Sequence, residues 1–382
     1  MRIACFWGET RSLDRISFRH EHLIDGFTAL GHQPVLVTAR DLAGRFAGPT
    51  HLVETLAELE RPGFWSELAP DLAVGVTWLR KAPILEALAA AGVPRIAIAE
   101  SDGQVGYAAH PGVSWARIWP YQRSTRDRLR TVRYFVRRWR ASRAGRDEED
   151  REFLASARAS SAIAFGSREA IAAFARFLAR SGEEGLAGKA FVAPFPVPTE
   201  FASGPLPEKE DRVVAVGRWS DPQKDAPLLA GAIARYFARG GTTRIDLYGA
   251  DGEAAFGELA RKYERLHVHG VREPHEIREA MARSRALLLS SRWETGPHAA
   301  GEALALGATL VSTPLPNSSG FIDGSRFGTL AERRGPEELA GALALEMDRW
   351  ATGERNPGAI AAHWRERLTP VAYCRALLEG SA

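Results

Sequence analysis

The chain has 382 residues, long for one core and comfortable for two, and its 45% hydrophobic and 25% charged content is that of an ordinary globular protein. Fifty Lys and Arg against 47 Asp and Glu leave a net +3, too small to define a nucleic-acid or membrane partner by charge alone. Two cysteines far apart in sequence, Cys5 and Cys374, offer neither a disulfide framework nor a metal cluster, and the ten histidines lack zinc-site spacing, so a metal-free protein of a reducing cytoplasm is expected.

The apolar run after Met1 is too short for a signal peptide and reads as a first strand, Ile3–Phe6; no run approaches bilayer-spanning length. Gly8 ends that strand, and Glu9 to Arg19 form a polar loop that either lines a cleft or merely connects. Strands follow at Val35–Val37, Leu72–Val76, Arg95–Ile98 and Ala162–Phe165, with helical patterns at His20–Leu30 and Pro83–Ala91 between them. After the fourth strand come Glu100, Asp102, Gly103 and, further on, His110; Asp102-Gly103 also reads simply as a turn. From Arg126 to Arg140 a helical pattern places Leu129, Val132, Phe135, Val136 and Trp139 on one face. Arg126, Arg130, Arg133, Arg137 and Arg140 form an opposing stripe. Such a helix either packs its apolar face on the core with solvated arginines, or lies on an anionic membrane surface or an acidic acceptor. No recognisable nucleic-acid module accompanies it, which speaks against nucleic acid.

The Pro-rich stretch Pro194–Pro207 reads as a linker. Strands recur at Val213–Val216, Ile245–Tyr248, His267–Val268, Ala286–Ser290 and Thr309–Ser312, and a last helical stretch covers His363–Leu378. Arg218 and Lys224 fall on the loop between the first of these strands and a helix that Asp225 could cap. In a doubly wound sheet that loop faces the ligand crevice, where two cations would neutralise a diphosphate. Downstream, Glu294 and Glu302 are separated by seven residues that include Gly296 and Pro297, with Pro297 placed to open a helix. A helix start offers free amides and a positive dipole end to a phosphate. Glu302 would stand ~7.5 Å along the axis from Pro297, at about 1.5 Å per residue, within reach of the ribose of the same nucleotide. The same window also reads as two solvent-facing glutamates flanking an ordinary turn.

Gly217, Arg218, Lys224, Glu294 and Glu302 together resemble the Gly-Arg…Lys loop and Glu-x7-Glu segment of the large retaining family of GT-B glycosyltransferases that use nucleotide-sugar donors. The run Ser160 to Ser167, the segment Phe191 to Phe201, Tyr248-Gly249 and His269-Gly270-Val271 match further family segments in order. The resemblance implies an α/β, GT-B fold: two Rossmann-like domains facing each other across a cleft. The boundaries expected are an acceptor domain at 1–195 completed by the C-terminal helix 363–382, a linker at 196–210, and a donor domain at 211–362. It implies a hexosyltransferase-type enzyme moving a sugar from a nucleoside-diphosphate sugar to an acceptor hydroxyl of a glycan, glycolipid or small molecule, with retention and with no cofactor or metal. The implied roles are Val271 at the base, Glu302 at the ribose, Arg218, Lys224 and the amides of Gly296, His298 and Ala299 at the diphosphate, and Glu294 at the donor sugar. Glu100, Asp102 or His110 stands where many relatives carry an acceptor-domain histidine. Two departures are evident: Pro297 removes one amide from the anion site, and the Arg–Lys spacing is about one residue longer than the commoner pattern. A nucleotide-sugar epimerase or hydrolase, or a catalytically silent binding protein of the same fold, are the alternatives. The Ala- and Arg-rich composition suggests a bacterial source; the location expected is the cytoplasm, with the helix Arg126–Arg140 leaving open a place at the inner membrane face.

Overall fold

A computed structural model describes residues 1–7, 18–38, 49–77, 79, 81–105, 125–144, 147–294 and 296–381. The chain divides into two compact units, Met1–Pro196 with Thr369–Ala382, and Val197–Leu368. Each is a parallel sheet with helices between its strands.

The first unit's sheet holds β1 (Arg2–Trp7), β2 (Gln33–Thr38), β3 (Thr50–Leu52), β4 (Leu72–Val76), β5 (Arg95–Ile98), β6 (Ala162–Phe165) and β7 (Ala190–Val192), in the order β3-β2-β1-β4-β5-β6-β7. Alternation along β1 explains its two-sided burial. Ile3 and Cys5 enter one apolar layer, Ala4 and Phe6 the other, and all four are fully buried. β3 and β7 escaped the sequence reading because three-residue edge strands leave too short a pattern to detect.

The second unit's sheet holds β8 (Glu210–Val216), β9 (Arg244–Tyr248), β10 (Leu266–Gly270), β11 (Ser284–Leu289), β12 (Thr309–Ser312) and β13 (Gly328–Leu330), in the order β10-β9-β8-β11-β12-β13. The chain winds outward from β8 through β9 and β10, then returns beside β8 as β11 and winds the other way. The strand order therefore reverses between β8 and β11, which is where a doubly wound sheet opens its ligand crevice.

Two boundaries differ from expectation. The segment 196–210 is no free linker: Val197 and Phe201 are buried in the second unit's core, and the Lys209 ammonium is held by the carbonyls of Ala282 and Leu306. Burial lowers the Lys209 pKa to about 7. The expected last helix is two. Pro357–Arg367 belongs to the second unit, then Thr369, whose hydroxyl accepts from the Ala372 amide, caps Pro370–Glu379, which returns to the first. That helix lies so close to Phe18–Ala29 that a side chain on Gly26 would stand 2.4 Å from the Pro370 carbonyl oxygen. Cys5 and Cys374 are both free and buried in this layer, and burial pushes the Cys5 thiol up to about 12.

Candidate active site

The candidate site is built at the carboxyl ends of β8 and β11, neighbours in the sheet. The loop 217–225 leaves β8 and the loop 290–297 leaves β11, and several bonds stitch them together. The Arg292 amide donates to the Gln223 carbonyl at 2.8 Å, and the Ser290 hydroxyl donates to the Lys224 carbonyl at 2.5 Å. With the backbones fixed, the Lys224 ammonium lies 2.7 Å from Oε1 of Glu294. Glu294 is 4% exposed, and its carboxylate also accepts from the Ser291 hydroxyl at 2.5 Å and Gln223 Nε2 at 3.4 Å. Asn317 Nδ2 donates to the Glu294 carbonyl at 3.1 Å. A buried carboxylate with an ammonium and two neutral donors is a preorganised charged centre whose dipoles need no rearrangement when a ligand arrives.

Asp225 does more than start a helix. It occupies the N-cap position of Ala226–Ala238 in the left-handed region, φ 46°, but its side chain makes no capping bond there. Instead the buried carboxylate binds Arg292 at 3.1 Å and also Arg334. Non-glycine residues tolerate this backbone only when their surroundings over-determine it. Two guanidiniums from the loops after β11 and β13 supply that constraint one residue from Lys224.

Glycines bring the loops after β8, β9 and β10 together. Gly217 donates its amide to the Tyr248 carbonyl at 3.0 Å and Gly249 donates to Gly270 at 2.7 Å. Gly249 has φ +117°, and a Cβ there would lie 1.9 Å from the Gly217 carbonyl oxygen. Just past β10, Val271 is 71% exposed, while the rings of His269 and Tyr248 behind it stack at 4.6 Å, 8° from parallel. His269 is anchored by Asp246, which Arg212 and Arg244 also hold. Burial opposes charge on Asp246, yet the bonds from Arg244 and His269 keep its pKa below the ordinary value.

The other residues singled out from the sequence fall as follows. Arg218 does not converge on Lys224: its side chain is 66% exposed and pairs with Asp221 at 3.0 Å. Pro297 is the residue before helix His298–Ala305 rather than its first, and the His298 amide turns back to the Gly296 carbonyl at 2.8 Å. That bond withdraws His298 from the three expected amides, and Ala299 is left with its amide at the helix start. Glu302 is half-buried in the same helix; burial, then the negative field of Glu200, raises its pKa to about 7. In the first unit, Asp102 is buried and its carboxylate accepts from the Gln104 amide and Nε2, which makes it a turn-former. The turn is forced by close packing, since a Cβ on Gly103 would strike the Ala170 carbonyl. Glu100 is buried beside it. His110 and the loop from Gly8 to Ser17 lie outside the described residues. Among the described residues no three His, Cys, Asp or Glu side chains group as metal ligands.

Gln223, Ser291, Asn317 and the Asp225–Arg292–Arg334 clamp went unnoticed in the sequence. Only the polar pair Ser290-Ser291 at a strand's carboxyl end hinted at them, since the rest depends on which loops meet.

Residues 210–346 match the protein family described as "Glycosyl transferases group 1". Solved structures of similar fold cover nearly the whole chain. A lipopolysaccharide outer core galactosyltransferase, WaaB, in its apo form has 16% identity and TM-score 0.64 over 100% of this chain and 99% of its own. A glycosyltransferase from Rickettsia africae ESF-5 has 10% identity and TM-score 0.68, with 99% and 97% covered. Anabaena Alr3699/HepE in complex with UDP has 15% identity and TM-score 0.65, with 99% of each chain covered. At these identities the likeness establishes the two-domain GT-B fold. The comparison with curated proteins finds no match.

Proposed function

We propose that this chain, whose residues 210–346 match the glycosyl transferases group 1 family on a GT-B fold, is a glycosyltransferase with a nucleoside-diphosphate sugar as donor and a hydroxyl as acceptor. The observation that carries the reading is the Lys224–Glu294 pair, 2.7 Å apart and fixed by Ser291 and Gln223 where the strand order reverses. The UDP bound by the similar Alr3699/HepE structure makes a uridine diphosphate donor the first to try.

In this reading the donor lies along the carboxyl ends of β8 to β11. The base meets Val271, with the His269–Tyr248 stack behind it, and the ribose hydroxyls meet Glu302. Lys224, the amides of Gly296 and Ala299, and Arg218 once released from Asp221 take the diphosphate. As the anomeric bond stretches, negative charge grows on the leaving diphosphate and an oxocarbenium-like centre on the sugar. Lys224 stabilises the first; Glu294 orients the sugar and holds the ammonium in place. The acceptor hydroxyl attacks from the leaving-group face, with retention, as the family resemblance implies. No metal and no cofactor enter.

Isothermal titration of UDP and UDP-hexoses, with GDP, ADP and TDP counterparts, tests this directly. One diphosphate series should bind the wild type and bind Lys224→Ala at least tenfold more weakly, with the fold intact by circular dichroism. Equal affinity in wild type and variant removes Lys224 from the site.

A further inference from the structure

The helix Thr125–Arg143 shows to solvent what a helix ordinarily buries. Leu129 is 57% exposed, Val132 38%, Val136 43% and Trp139 40%, and their spacing of three, four and three makes one stripe. Beside it runs a row of arginines, Arg126, Arg130, Arg133, Arg137 and Arg140, none of which pairs with a carboxylate among the described residues. The two rows share the outward side. A groove of about 520 Å³ runs where they meet, lined by Val132, Arg133, Val136, Arg137, Arg140 and Ala141.

The inward face is Thr131, Phe135, Arg138 and Ser142. Thr131 and Phe135 are buried, Arg138 bonds both oxygens of Asp147 at 2.8 and 3.0 Å and Glu149 at 2.5 Å, and Ser142 donates to Asp150 at 2.6 Å. The packed-on-the-core alternative read from the sequence is thereby corrected: of its five apolar residues only Phe135 is buried. The helix is held in a fixed rotation by polar bonds to the start of the following helix, Glu148–Ala159, leaving the other four outside.

We propose that this face docks on an anionic lipid bilayer. Eight arginines against one aspartate between Thr125 and Arg143 supply the charge complementarity. An acidic surface alone would pair the guanidiniums and leave four apolar side chains wet; a neutral apolar surface would do the reverse. A headgroup layer over acyl chains satisfies both rows at once. Among the described residues no helix is long and apolar enough to cross a membrane, so the contact is one of lying on the surface. The inference stands independently of the donor reading.

Co-sedimentation of the full chain with vesicles of phosphatidylcholine, alone or mixed with phosphatidylglycerol, tests it. The wild type should bind the mixed vesicles at least tenfold more strongly than the neutral ones, and less at high salt. The triple variant Arg133→Glu/Arg137→Glu/Arg140→Glu and the triple variant Leu129→Ser/Val136→Ser/Trp139→Ser should each lose at least tenfold. Arg133→Lys/Arg137→Lys/Arg140→Lys should keep its binding, which separates lost charge from a damaged fold. Absence of wild-type binding, equal binding to both vesicles, or full binding by the serine variant overturns the proposal. So does a dimer in light scattering that the serine variant breaks, which would give the face to a second copy of the chain.

Discussion

Lys224 and Glu294 show what burial does to an ion pair. With Glu294 4% exposed, removing the lysine strands a charge, which costs on the order of 3–5 kcal/mol in stability as well as any loss of activity. Glu294→Gln is the cleaner variant: it keeps an acceptor for Ser291 while removing the charge that fixes Lys224. We expect kcat to fall at least a hundredfold with the melting temperature shifted by only a few degrees, as paired kinetics and calorimetry would show. Glu302 carries a pH signature. Its folded pKa, about 7, lies above the ordinary carboxyl value of 4.5, so the folded chain holds a proton that the unfolded chain has released between those pH values. Its ionisation therefore costs stability above pH 7, and the cost fades as pH falls towards 4.5. Glu302→Gln should raise the melting temperature at pH 8, by ~1–3 kcal/mol of stability once partial exposure is allowed for, and leave it unchanged near pH 4. Melting curves at the two pH values decide it; equal shifts at both would mean that the carboxyl charge is not responsible.

At the scale of the element, the loop 217–225 is a constrained device. Asp225 sits at φ 46° between Arg292 and Arg334, one residue after Lys224. Glycine would accept that backbone without strain but release both arginines; alanine would release them as well and be strained there besides. Asp225→Ala should thus lose more stability than Asp225→Gly, by ~1 kcal/mol, and both should raise the donor KM about tenfold with little change in kcat. A KM unchanged in the glycine variant would show that the carboxylate has no positioning role. This element also shows the limit of sequence reading. The placement of Arg218 and Lys224 on the loop after one strand, of Glu294 after another and of Glu302 in the next helix was legible because a strand, a break and a helix start are local patterns. The capping role expected of Asp225 failed because its real partners lie 67 and 109 residues away, and the convergence expected of Arg218 failed because Asp221 is nearer. The expected helix start at Pro297 slipped by one residue, and with it the His298 amide turned to the Gly296 carbonyl.

For the whole molecule, the alternation of strands with helices was enough to read two parallel sheets, since the first half's five strands and β8, β11 and β12 carry apolar runs, while β9 and β10 keep short apolar segments around Asp246 and His267. Edge strands and the two-part ending were not legible. The helix Pro370–Glu379 matters most here, because it returns the chain to the first unit and buries Tyr373, Cys374 and Leu377 against Leu23 and Phe27. Ending the chain at Leu368 should destabilise that unit by ~3–6 kcal/mol, at about 1.5–3 kcal/mol for each large apolar side chain no longer covered. The second unit should still melt as in the intact chain. Differential scanning calorimetry would show one transition lowered and one preserved; a parallel fall of both would mean that the units do not unfold separately.

The most direct test of the donor site is turnover rather than binding alone. Purified wild type, Lys224→Ala and Glu294→Gln would be incubated with the nucleotide-sugar that titration selects, and released nucleoside diphosphate followed over time with and without candidate hydroxyl acceptors. The site described predicts acceptor-stimulated release by the wild type and a loss of at least a hundredfold in both variants. Release at the wild-type rate by either variant would contradict it, because the Lys224–Glu294 pair would then be a structural bond in a protein whose chemistry lies elsewhere.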